Sequence, residues 1–284
     1  MNAGYDIGIN LVSATIGAAA GAGWTHGVRR VKYRRHRAFW SFLERPTIFV
    51  VGDLGTSVLL STLSDALQYV VSEEDHRQLI VDKIINHISS QEISGLIGRG
   101  DLDAIVNMVI RFASLRLPAK PLILHPSEVD DEQRNYNLVL IGGKDVNSLT
   151  KVLTPRGCHL EALTNNEGRN VVRDSRLNVD HPVRWQSEPN FNGEILREDY
   201  GILTRGRNPN NSESEVLLMA GAHGLGTLAA AEVSLSSKFE RRLYHDLKEY
   251  NGNFECLVRY TRTDGGPSDG HVTIDLEFSR GLDI

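Results

Sequence analysis

Five residues in MAGAHGLGTLAAAE (219–232) are of types that handle anions: Gly221, His223, Gly224, Gly226 and Thr227. The stretch reads as a strand end, a glycine turn and a helix start. A helix start leaves backbone N–H groups without intrahelical partners at the positive end of the helix dipole. Glycine removes the side chain that would keep a ligand from those amides. Thr227 adds a hydroxyl donor, and His223 can bind an anion or transfer a proton. The same grammar recurs in NLVLIGGKDVNSLTKVL, with Gly142, Gly143, Asn147 and Thr150, and in VVGDLGTS. Asn147 is placed to read a base, a sugar or a phosphate. In a parallel sheet such turns gather on one rim, so they are expected to share a crevice for a small anionic, nucleotide-like ligand. Gly226→Val is then expected to abolish binding and leave the fold intact. The competing account is that the glycines only let strands turn into helices.

The same residues admit an enzyme of the glycosidic-hydrolase kind, with His223 and Asp145 as the acid and base candidates. His223, His159 and Asp199 also form a triad on paper, although no nucleophile–base pair is evident. Familiar motifs are missing. There is no GxxxxGK before Ser or Thr, GAHGLG departs from GxGxxG, and neither GxSxG nor HExxH occurs. No motif calls for a cofactor or a metal. The two cysteines, Cys158 and Cys256, lie outside any CxxC pattern and read as small buried hydrophobes of a reducing compartment.

The elements that must position these residues are strands at 48–51, 122–125, 138–141 and 201–204, a strand before Gly221, and helices near 101–117 and from about Ser148. An amphipathic helix covers KFERRLYHDLKEY. FECLVRYTRT and HVTIDLEFSR flank DGGPSDG as a hairpin. Strands alternating with helices predict an α/β, mainly parallel-sheet, Rossmann-like domain with the hairpin at its edge. The polar stretch 155–192 stays unassigned, and two lobes would divide near 155–195.

Residues 7–28 carry no charge apart from His26, and at ~1.5 Å per residue a helix of this length crosses a bilayer core of ~30 Å. Arg29, Arg30, Lys32, Arg34, Arg35 and Arg37 follow directly. Basic residues after an apolar span stay cytoplasmic. The expectation is an anchor and basic segment at 1–45, then a cytoplasmic body at 46–284, in a single-pass inner-membrane protein with its N-terminus outside. Gly17 and Gly21, and Gly23 and Gly27, have the small-residue spacing that lets membrane helices associate, which would give a homo-oligomer. Residues 1–45 carry +5 and the rest −10, so DNA and long RNA are poor partners.

INLVSATIGAAAGAGW with RRVKYRRHRAFW, SGLIGRGDLDAI, NLVLIGGKDVNSLT, and DYGILTRGRNPN with VLLMAGAHGLGT together resemble bacterial single-pass membrane-anchored proteins with a cytoplasmic α/β domain. The layout is similar to membrane effectors of bacterial antiviral signalling, which implies a nucleotide sensor coupled to a membrane helix. The likeness is architectural and transfers no residue role. Three functions stand: a ligand sensor, an enzyme using the same crevice, and a tethered interaction module without a ligand.

Overall fold

A computed structural model describes residues 34–52, 99–115, 122–187, 194–263 and 271–284. The elements in chain order are β1 (Thr47–Val51), α1 (Arg99–Leu115), β2 (Leu122–Leu124), β3 (Asn137–Ile141), α2 (Ser148–Leu153), β4 (Leu160–Thr164), β5 (Asn170–Asp174), β6 (Val179–Pro182), β7 (Arg184–Ser187), β8 (Glu194–Arg207), β9 (Glu215–Gly221), α3 (Gly224–Leu235), α4 (Glu240–Glu249), β10 (Phe254–Arg262) and β11 (Val272–Gly281).

The main sheet has eight strands, in the order β11-β10-β8-β9-β3-β1-β2, with β7 added to β8. β2, β1, β3 and β9 are mutually parallel. β8, β10, β11 and β7 are antiparallel to their neighbours. A second sheet, β4-β5-β6, is wholly antiparallel. The expected mainly parallel, Rossmann-like fold is therefore corrected: among the described residues strand outweighs helix, in one mixed sheet and a second sheet with few helices. The physical reason lies in two connections. Residues 208–214 join β8 to β9 as a tight turn, so no helix crosses between them and the strands must run antiparallel. The polar stretch 155–192 holds β4 to β7, whose exposed faces carry charged side chains and hide their alternation.

Of the parallel strands, β1, β3 and β9 are buried on both faces. In β1, Phe49 and Val51 enter one core with Trp40, Phe112 and the alanines of α3, while Ile48 and Val50 enter the other with Leu149, Leu160 and Val172. The first core lies under α1 and α3, and the second under α2 and the small sheet. An Asp174–Arg280–Glu255 network ties the small sheet to β10 and β11. Arg280 meets Asp174 at 2.8 and 2.9 Å and Glu255 at 2.7 Å, and both acids are fully buried. Burial pushes the Asp174 carboxyl up, but Arg280 and the amides of Leu177 and Arg176 outweigh it and hold the group below its ordinary value.

The segment just after the expected anchor is folded into this body. Trp40 is fully buried and its indole donates to the Ser234 carbonyl at 3.3 Å. Arg205, itself buried, donates to the Phe39 carbonyl and to Glu215 and lies over the Phe39 and Phe42 rings. Arg35 reaches Glu240 at 3.5 Å and Arg37 reaches Glu44 at 3.2 Å. No helix among the described residues is long and apolar enough to cross a membrane. Residues 7–28, with Gly17, Gly21, Gly23 and Gly27, and also Arg29, Arg30 and Lys32, lie outside the described residues.

Candidate functional site

Because β1, β3 and β9 are parallel neighbours, their carboxyl ends and the turns after Ile141 and Gly221 lie on one rim of the sheet, while the turn that follows Gly52 lies outside the described residues. Two polar side chains of that rim, Asn147 and Thr150, are already engaged. Asn147, fully buried, caps α2: its Oδ1 accepts from the Leu149 amide at 3.1 Å, and its Nδ2 donates to the Val50 and Ile141 carbonyls at 3.0 and 3.1 Å. It thus clamps the ends of β1 and β3. Thr150 donates to the Gly142 carbonyl at 3.0 Å. Gly142 has φ +99°, which favours glycine, and its amide extends the ladder to Met219 at 2.9 Å.

The helix start at α3 holds an anion, and that anion is Asp199. This fully buried side chain from β8 accepts the His223 amide on Oδ1 at 3.1 Å and the Gly226 amide on Oδ2 at 2.5 Å, and its own strand adds the Tyr200 amide at 2.8 Å. Burial pushes the carboxyl up to about 7, the three amides pull it down, and the nearby Asp101 charge adds to the rise. The sequence pattern around residue 226 contains no hint of this partner, which sits a strand away. Its only local signal is an acid beside Gly201.

The glycines fill space that a side chain would need. A Cβ on Gly226 would stand 2.2 Å from the Tyr200 carbonyl oxygen, one on Gly221 2.3 Å from the His223 oxygen, and one on Gly201 2.0 Å from the Gly226 oxygen. Gly100 of α1 meets Gly224 of α3 in the same way, at 1.8 Å. These contacts are backbone on backbone, so the expectation that Gly226→Val spares the fold does not hold. Thr227 is buried behind this junction.

His223 precedes α3 and packs edge-on against Trp185, with ring centroids 5.4 Å apart. Partial burial of its ring holds the imidazole below its ordinary value, so it supplies no fixed positive charge. Asp145 is exposed, and Lys144 is paired with Glu161 at 2.7 Å. His159 meets Asp283 at 2.7 Å and Asp199 is engaged by backbone amides, so no ring-to-carboxylate bond joins His223, His159 and Asp199 into a triad. Gly143 and Thr150 border a cavity of about 70 Å³ that also touches Cys158 and His159. Small-molecule sites span roughly 300–1,000 Å³, and this one has room only for water or a very small ion. Burial raises the Cys158 and Cys256 thiols, which suits packing and not nucleophilic chemistry. Among the described residues one trio of metal-ligating type comes together, His245, Asp246 and Glu249 on α4, and its members already pair with each other and with Arg242.

Residues 68–237 match the family described as S-layer like family, outer domain. Among curated proteins none matches the chain. The family overturns the expected inner-membrane, single-pass placement with a cytoplasmic body, since it is named for a surface layer. With more than half of its length matched, the chain belongs to the S-layer like family, outer domain.

Proposed function

We propose that this chain is a structural module that associates with further copies of itself in a surface layer, and that its glycine turns serve packing. The observation that carries this reading is the Asp199 carboxylate on the His223 and Gly226 amides, which fills the anion position where a ligand was expected. The acids Asp101 and the exposed Asp145 beside this rim disfavour a nucleotide's phosphates. Asp199, with no exposed surface, cannot touch a substrate, and the ring of His223 packs against Trp185.

Two features favour association. Among the described residues β11 pairs only with β10, which leaves one edge of the main sheet open. Leu177, Val179 and Trp185 are 62%, 42% and 43% exposed along the β6–β7 segment. Sedimentation velocity of the full chain across a concentration series tests the reading. Growing assemblies that Leu177→Ser and Trp185→Ser shift towards monomer are expected. A monomer at every concentration would refute it.

A further inference from the structure

We propose that the face of α4 beside Arg35 is a binding site for an organic phosphate, a phosphate monoester carried on a ring. Arg241, Tyr244, His245 and Lys248 recur at helical spacing and so share one face of α4. With Arg35 and Glu249 they line a cleft of about 440 Å³, within the size range of small-molecule sites. Arg35 is held there by its ion pair with the buried Glu240 at the start of the helix.

The cleft is basic within an acidic protein. Glu249 lies 2.9 Å from the His245 ring, and Arg241 and Lys248 set two positive charges against that one acid. Among the described residues Arg241 makes no ion pair or hydrogen bond, and Lys248 has only the Tyr244 ring, 4.6 Å from its ammonium. Two cations flanking an aromatic ring suit a doubly charged oxyanion on a flat or sugar ring. The guanidinium offers a planar pair of donors to the phosphate, the ammonium adds a point charge, and Tyr244 gives the ring a surface to stack on. This site lies on α4, apart from the glycine rim, and does not depend on self-association.

Calorimetric titration of the full chain with adenosine monophosphate, glucose 6-phosphate, inorganic phosphate, adenosine and glucose tests it. Saturable binding of at least one ring phosphate is expected, weakening as salt is raised. Arg241→Gln and Lys248→Gln should each weaken it at least about fivefold, the scale of one lost charge-assisted contact. Tyr244→Ala should weaken the ring phosphate and leave inorganic phosphate unchanged. Circular dichroism checks that each variant is folded, Arg241 and Lys248 being exposed and Tyr244 half-buried. No binding by either ring phosphate would overturn the site, as would equal binding in the Arg241→Gln/Lys248→Gln double variant. Equal affinity for adenosine or glucose would remove the anion, and equal affinity for inorganic phosphate would remove the ring contact; either result overturns the stated class.

Discussion

Asp199 shows how one side chain settles the meaning of a motif. Truncating it to Ala removes the acceptor of the His223 amide and leaves the Gly226 amide with only the His223 carbonyl, so Asp199→Ala should cost about 1–3 kcal/mol in urea unfolding. Its ionisation adds a pH signature. The folded carboxyl titrates at about 7 against an ordinary 3.8. Folding therefore favours the protonated form. The associated stability is fully present below 3.8 and is lost as pH rises through about 7. Wild-type unfolding free energy relative to Asp199→Asn should thus fall between about pH 4 and about pH 7 and level off above. A constant difference across that window would contradict the assignment. Gly226→Ala should also destabilise, by about 1–3 kcal/mol, because its Cβ meets the Tyr200 carbonyl and not open space. The glycine turns and their common rim were legible in the sequence, since strand–glycine–helix grammar is local. The filling of the rim was not. Asp199 acts from another strand, and Asn147 is spent partly on the Val50 carbonyl, 97 residues away in sequence.

At the scale of elements, strands that alternate between two cores were easy to read and strands with charged faces were not. β1, β3 and β9 are unbroken apolar runs that stand out in any polar background. β4 to β7 carry Arg173, Asp180 and Arg184, whose ion pairs are cross-strand and so invisible along the chain. The Arg280 network makes the same point with buried charge. Arg280→Ala should cost roughly 3–5 kcal/mol, since it strands Asp174 and Glu255 without their cation. Thermal and urea unfolding measure it. The aromatic cluster of 39–42 falls within the segment 1–45 expected to serve the anchor, yet its rings pack on Phe112 and Phe254 inside the body. Trp40→Ala should accordingly destabilise by roughly 3–5 kcal/mol, whereas a mere flank would leave unfolding unchanged.

At the scale of the whole molecule, a mixed sheet with one open edge, a second sheet behind it and exposed apolar side chains near β6 and β7 make a body with surfaces left over for neighbours. Surface layers need such modules to be rigid and to repeat. A closed rim and two cores provide the rigidity, and the open edge provides a place for repetition. The most direct test of this account is electron microscopy of the purified full chain, concentrated without added nucleotide. Ordered sheets or chains of regular repeat are predicted, and Trp185→Ser should disperse them. Particles that stay single at every concentration, and associate only when a nucleotide is added, would contradict it.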